Sequence, residues 1–287
     1  YKPARNTVAE VYQQVISDLK EATDYISKTR TDGKLNLFAT QLLLARAYLY
    51  TGDNTNAYSV ASKLIKDAEA TGKYRLFKNE EYATVWKEDT GVEYFYIIPN
   101  SAEEISDSKE FIGYLMHRSG YDDISLSTDY MNLIKSDKDD VRIKIIEQYK
   151  TDRDHLLKYV SPDYKYSNIP VLRLSEAYLI AAEAAAKLND SENAAKYLNA
   201  IVSRANPAKS VTEAEATLDR VLIERRKELV GEGHRLFDAM RNNQTIKRAG
   251  KSHSSSNLTP ETKEYNWDFY KIVMPIPSGE INANKNI

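Results

Sequence analysis

At 287 residues with 42% hydrophobic content the chain is long enough to bury a sizeable core, as one large domain or two ordinary ones. Its 40 Lys+Arg against 42 Asp+Glu leave a net charge of -2 with no basic tract, which excludes the electrostatic footprint of a nucleic-acid binder. The lack of Cys excludes disulfides, thiol nucleophiles and Cys-based zinc sites, and no run of 18 apolar residues marks a transmembrane helix.

The first element begins at Thr7-Val-Ala-Glu10, a capping box in which hydroxyl and carboxylate satisfy free backbone N–H groups. Val8, Val11, Val15, Leu19, Ala22 and Ile26 follow at helical spacing, so an amphipathic helix is expected to end before Thr31-Asp-Gly33. A second helix is expected over about 36–51, broken at Gly52-Asp53-Asn54, and a third over about 56–69. Leu44, Ala45 and Tyr48, the turn, then Ala57, Ala61 and Leu64 form the frame of a tetratricopeptide-type helix pair, with Ala at the close contact. The frame recurs 137 residues later at Ala181, Ala182 and Ala185, the Asn189-Asp190 turn, and Ala194, Leu198 and Ile201. Two copies fall short of the roughly three that a solenoid needs for a continuous core, so further helices must cover them.

Between the copies the pattern changes. Tyr82 to Trp86 reads as helical, and Gly91-Val-Glu-Tyr-Phe-Tyr-Ile-Ile-Pro99 as a strand stopped by Pro. Residues 100–168 hold little periodicity, with helices expected only over Asp129 to Ile134 and Val141 to Ile146. Nine of the 21 Tyr lie between Tyr94 and Tyr166. After the second pair comes a long charged helix over about 218–230, loosened by Gly231 and Gly233. A polar loop follows over 247–264, and then a Pro-containing segment, 272–281, expected to be extended and pinned to the body.

Five blocks in order resemble the SusD/RagB family of outer-membrane nutrient-binding lipoproteins. They are Thr7-Val-Ala-Glu-Val-Tyr12 with Asp18-Leu19; Leu43-Leu-Ala-Arg-Ala-Tyr-Leu-Tyr-Thr-Gly-Asp53; Arg173-Leu-Ser-Glu-Ala-Tyr-Leu-Ile-Ala-Ala-Glu183; Glu224-Arg-Arg-Lys-Glu-Leu229 with Gly233-His-Arg-Leu-Phe-Asp238; and Pro275-Ile-Pro-Ser-Gly-Glu-Ile281. The resemblance implies a mainly α, SusD-like body with tetratricopeptide-type helix pairs, a short strand element and an irregular central insert. One domain over 1–287 is expected: a first helical region (1–90), a Tyr-rich insert (91–169), and a second helical region with the C-terminal segment (170–287). It further implies non-catalytic, cell-surface capture of a glycan or oligosaccharide and delivery to a SusC-like, TonB-dependent outer-membrane transporter. Family members are usually longer, with an N-terminal portion bearing a lipidated Cys, so membrane attachment is expected only through an anchor that this chain does not hold.

The search for other chemistry finds no hydrolase, zincin, P-loop or dinucleotide motif, and neither a cofactor nor a metal site is expected. Glu103-Glu104, Asp122-Asp123 and Asp139-Asp140 are acid pairs of the kind chance produces among 42 carboxylates. Asp137-Lys-Asp-Asp140 lacks the Gly and distal Glu of a calcium loop and reads as a solvated turn. The four His have no ligand spacing, and His234 is expected to be structural. Glu224, Arg225, Arg226, Glu228, Glu232, Arg235, Asp238 and Arg241 place opposite charges at helical spacing, read as a structural ion network with Leu229, Leu236 and Phe237 buried beneath it; a docking face for the transporter is the other reading.

Sugar binding calls for exposed aromatic rings on loops, beside polar side chains. Trp86 and Trp267 sit in segments that read as core. The candidate glycan-binding residues are therefore Tyr114, His117, Arg118 and Tyr121, with Tyr149, Tyr164 and Tyr166 next. The rival reading is a helical-repeat scaffold that binds peptide or protein, its Tyr serving as repeat interior. An enzyme would instead need two convergent carboxylates in a cleft.

Overall fold

In the computed structural model, which describes residues 4–88, 91–104, 108–150, 153–248 and 259–286, helices dominate and three two-stranded sheets join them. Helix α1 (Val8–Tyr25) starts on the expected capping box: Glu10 N donates to Thr7 Oγ1 at 3.2 Å, and Thr7 N to Glu10 Oε2 at 2.8 Å. Its apolar stripe is not buried as its amphipathic spacing leads one to expect. Ile16 and Leu19 reach the core against the next helix, while Val8, Val11 and Val15 stay exposed.

Helices α2 (Leu37–Tyr50) and α3 (Asn54–Ala70) form the first pair. The short α4 (Tyr82–Glu88) follows, then strand β1 (Tyr94–Ile98), α5 (Ile112–Met116), α6 (Thr128–Lys135) and the hairpin of β2 (Ile146–Lys150) with β3 (Arg153–Leu156). Strand β4 (Ile169–Arg173) pairs antiparallel with β1, Ile98 opposite Ile169 and Tyr94 opposite Arg173, and runs directly into α7 (Leu174–Lys187). Helix α8 (Ser191–Ala205) completes the second pair, and α9 (Leu218–Glu228) and α10 (Arg235–Arg241) follow.

The two pairs are local copies of one another, as the sequence repeat requires. Gly52 and Asn189 hold the turns at positive φ, +78° and +60°. The next residue caps the following helix in both. Asp53 accepts from Asn56 N at 3.1 Å and Asn56 Nδ2 at 2.7 Å; Asp190 accepts from Asn193 N at 3.1 Å and Nδ2 at 2.8 Å. Helix α3 packs across α7, so the pairs share one core. Its close contacts are fully buried Ala45, Ala57, Ala61, Ala181, Ala182, Ala185 and Ala194. A methyl side chain is what lets helix backbones approach this closely, and larger residues, Leu42, Leu64, Ile180 and Leu198, fill the grooves between them.

Several expectations need correction. Val141–Ile145 is a 3₁₀ turn and the chain then enters β2, because Asp140 caps the turn through Arg142 N at 3.0 Å and Ile146–Lys150 pairs with β3. That same Asp140 is buried rather than solvated. The segment 272–281 is not pinned: Met274 is 88% exposed and Ser278–Ala283 is a short helix. Trp86 is core, but Trp267 is 43% exposed. Much of the 247–264 loop lies outside the described residues.

The charged block is a structural ion network, as expected, but it is buried and of a different geometry. Gly231 and Gly233, both at positive φ, end α9 and redirect the chain, so most partners come from distant elements rather than from three or four residues away. Arg173 donates to Glu93 (2.9 Å), Glu228 (2.9 Å) and Glu232 (2.8 Å), and Arg142 and Arg204 also hold Glu228, at 3.3 and 2.7 Å. Burial pushes the Glu228 carboxyl up, but Arg204, Arg173 and Arg142 overcome it and hold it well below the usual carboxylate range. The Tyr82 and Trp86 rings lie against Arg204 and Arg173, with centroids at 4.6 and 5.3 Å. A second cluster joins Arg46 to Glu176 and Arg225 to Asp238, and Arg241 to both Glu183 and Asp238. Leu229 is buried beneath this network; Leu236 and Phe237 are not. Phe237 is 50% exposed and stacks on Tyr50 instead.

Candidate functional site: an aromatic platform on the central insert

Helix α5 is barely longer than one turn, and a set of backbone bonds folds the chain back over it: Tyr121 N to Tyr114 O at 3.0 Å, Gly120 N to His117 O at 2.9 Å, and Asp123 N to Leu115 O at 3.0 Å. Two glycines permit this. A Cβ on Gly120 would lie 2.0 Å from Tyr114 O, and one on Gly113 would lie 2.4 Å from the carbonyl oxygens of both Tyr159 and Tyr164. Gly113 thus seats α5 against the loop preceding β4, which carries Tyr164 and Tyr166.

The result is a cluster of four of the expected residues. The His117 ring stacks on Tyr164 with centroids 4.1 Å apart at 14°. Tyr114 lies near-parallel to Tyr164 at 5.9 Å and 28°, and Tyr121 meets Tyr114 edge to face at 5.1 Å and 88°. Tyr164 Oη donates to Ser119 O at 3.4 Å, and Ser119 N donates to His117 Nδ1 at 3.1 Å. That last bond makes Nδ1 an acceptor and leaves the ring proton of a neutral His117 on Nε2. Burial, aided by Arg118, lowers the His117 pKa further, against the opposing pull of Glu147.

Tyr121 is 49% exposed, Tyr114, His117 and Tyr164 are half-buried, and Arg118 stands exposed beside them, paired to Glu147 at 3.2 Å. Tyr166, half-buried, sits two residues beyond Tyr164, where its N–H donates to Asp163 O at 3.1 Å. Tyr149 lies on β2, but its side chain falls outside the described residues. Beneath the platform, buried His155 on β3 places Nδ1 2.6 Å from Met116 O and Nε2 3.1 Å from Asp122 Oδ1, fastening the loop to the hairpin. Sequence reasoning missed His155, Ser119, Lys165, whose ammonium lies 5.7 Å from the Tyr164 ring, and the role of the glycines. Of these, only the fold-back of the loop left a signal in the sequence: Gly113 and Gly120 on either side of Tyr114, a mark of close backbone approach.

Behind the platform a cavity of about 420 Å³ opens between Met116, Ile124 and Leu126 of the insert and Leu229, His234 and Leu236 of the α9–α10 region. Its walls are largely apolar. His234 is buried 3.9 Å from Glu176, and burial lowers its pKa. Among the described residues no group of three His, Asp or Glu side chains is placed to hold a metal ion, and no helix is long and apolar enough to cross a membrane.

Fold and platform together define a helical-repeat protein with an aromatic loop surface. The chain belongs to the SusD/RagB family. A profile for the SusD family matches residues 153–287. The SusD-like protein P25 of Formosa agariphila is 33% identical over 131 residues, which cover 43% of this chain and 24% of that protein. A putative sugar binding protein from Bacteroides vulgatus, known as a crystal structure, is 44% identical with a TM-score of 0.92, covering 100% of this chain and 66% of that one. The same fold is found in surface glycan-binding protein A of Bacteroides thetaiotaomicron, solved in complex with laminarihexaose, at 20% identity and a TM-score of 0.73 over 99% of this chain and 70% of that one. The chain therefore spans about two thirds of its solved relatives' length and a quarter of the curated relative's.

Proposed function

We propose that this protein binds an oligosaccharide at the cell surface, through the platform of Tyr114, His117, Tyr121 and Tyr164, and passes it to a SusC-like, TonB-dependent transporter in the outer membrane. The observation that carries the reading is the packing of four rings on two glycine-seated loops, half-exposed on the insert rather than sunk in the helical core. A ring cluster of this kind offers flat apolar faces to pyranose C–H groups, while Arg118, His117 Nε2 and the tyrosine hydroxyls supply hydrogen bonds to sugar hydroxyls. Preorganisation by backbone bonds lowers the entropy lost on binding.

The family and the sugar-binding description of the 44% identical relative support a carbohydrate ligand. Action by binding alone is part of the same reading and rests on the family. The burial pattern speaks against the peptide-binding scaffold: Tyr94, Tyr130 and Tyr159 are core, but the platform rings are not. Affinity electrophoresis against a polysaccharide panel tests the proposal, with retardation by at least one glycan expected. No retardation by any glycan, with the protein shown to be folded, would refute it. Co-purification with a SusC-like transporter from the source organism tests the delivery step separately: recovery of the pair is expected, and its absence would refute delivery.

A further inference from the structure

A second cavity, of about 490 Å³, lies between the end of α8, the loop that follows it and α9, and shares no lining residue with the aromatic platform. Its size is that of a small-ligand pocket. Lys227 lines it and is only 8% exposed. Among the described residues its ammonium forms an ion pair with Asp140, 3.9 Å away and beyond hydrogen-bond reach, and its charge also acts on Glu224 and Asp137. The carboxylates of the cavity are engaged elsewhere. Asp140 grips Arg142 through both oxygens, at 2.9 and 2.7 Å, and Glu224 is held by Arg142 at 2.6 Å and Arg220 at 2.7 Å. Asp137 accepts from Asn206 Nδ2 at 3.0 and 2.8 Å, and Glu215 from Thr212 N and Oγ1 at 2.9 and 2.8 Å. Lys209, exposed, adds a second cation to the lining.

The Lys227 stem is buried while its ammonium opens to the cavity, so its N–H donors are available to whatever the cavity holds. We propose that this cavity is a second ligand site, taking a sugar-sized hydrophilic molecule that carries a carboxylate or sulfate, with Lys227 as the anion's anchor. Lys209 adds long-range attraction, Asn206 and Asp137 suit hydroxyl groups, and Val202 and Val211 give an apolar wall for a C–H face. The proposal stands apart from the platform and does not depend on it.

Isothermal titration at low ionic strength with D-galacturonate, D-galactose 6-sulfate, inorganic sulfate and neutral D-galactose tests it, using the protein and its Lys227→Gln, Lys209→Gln and Tyr164→Ala variants. Saturable binding of at least one charged sugar is expected, about tenfold or more weaker in Lys227→Gln, since that variant loses a charge-assisted hydrogen bond. Lys209→Gln should weaken it a few-fold and Tyr164→Ala leave it unchanged. Which charged sugar binds tells carboxylate from sulfate. Binding of neither, equal binding of neutral galactose, equally tight binding of inorganic sulfate, or full affinity in Lys227→Gln would overturn the proposal. Should Lys227→Gln fail to fold, unchanged affinity in Lys209→Gln does so.

Discussion

Replacing Glu228 with Gln is a demanding perturbation of this fold. The carboxylate is fully buried and shared by Arg142, Arg173 and Arg204, with Tyr82 Oη at 3.5 Å. Gln keeps the volume but removes the charge, and its amide N–H₂ would face guanidinium groups or, at best, the Tyr82 hydroxyl. Three buried cations would then rely on their remaining partners, chiefly Glu93, Glu224, Glu232 and Asp140. Breaking one partner from a buried ion pair costs about 3–5 kcal/mol. For a chain of this size each kcal/mol moves Tm by roughly 2–4 °C, so a fall of roughly 6–20 °C is expected. Urea and thermal unfolding measure it, with Glu264→Gln as the control. That residue pairs with Lys247 at 3.0 Å with both side chains mostly exposed, and its loss should fall within about 0.5 kcal/mol of the parent. A Glu228→Gln variant within about 1 kcal/mol of the parent would refute the view that the network is a required part of the core.

Acid should unfold the protein through the same carboxylates. Glu176 is pushed up by burial but held down to about 2 by Arg46 and His234, and Glu183, Glu224 and Glu232 are lowered by their own Arg and Lys partners. Their folded pKa values lie below the unfolded ones, so the stabilisation is complete above the unfolded pKa near 4.5 and is lost as pH falls through the folded values. Glu176 alone accounts for about 3 kcal/mol. Unfolding free energy followed from pH 7 to 3 should drop steeply below about pH 4.5, and a flat profile would contradict the pairing. Ala182→Leu and Ala45→Leu, at equivalent close contacts, should each destabilise by about 1–3 kcal/mol in urea, whereas Val11→Ala on exposed α1 should change little; similar losses at all three would deny the packing. Iodide should quench one of the two tryptophans, and Trp267→Phe should abolish the quenchable component; its survival in that variant would place Trp267 back in the core.

The helical body was legible because its signals are local and repeated. The spacing of Ala45, Ala57 and Ala61, with the cap at Asp53, returns 137 residues on, and helix periodicity needs no knowledge of distant partners. The charged block was legible as a network but not as a geometry, because Gly231 and Gly233 turn the chain and bring Arg142, Arg173 and Arg204 in from three other elements. Phe237 and Trp267 show the opposite failure: a large apolar residue in a helical or pre-strand context reads as core, yet neither is covered among the described residues. At the platform the residue types were readable, since aromatic rings and Arg on an aperiodic segment suit a binding surface. Their assembly was not, because it depends on α5 docking against a loop some fifty residues later through Gly113.

The central claim is that the insert platform is where sugar binds. Its most direct test is calorimetric titration of the best glycan from the panel into the protein and into Tyr164→Ala, the variant that removes the ring stacked on both His117 and Tyr114. Affinity should fall about tenfold or more, roughly 1.4 kcal/mol, with thermal stability little changed because Tyr164 lies outside the helical core. Undiminished affinity in a folded Tyr164→Ala protein would place the site elsewhere and contradict the account.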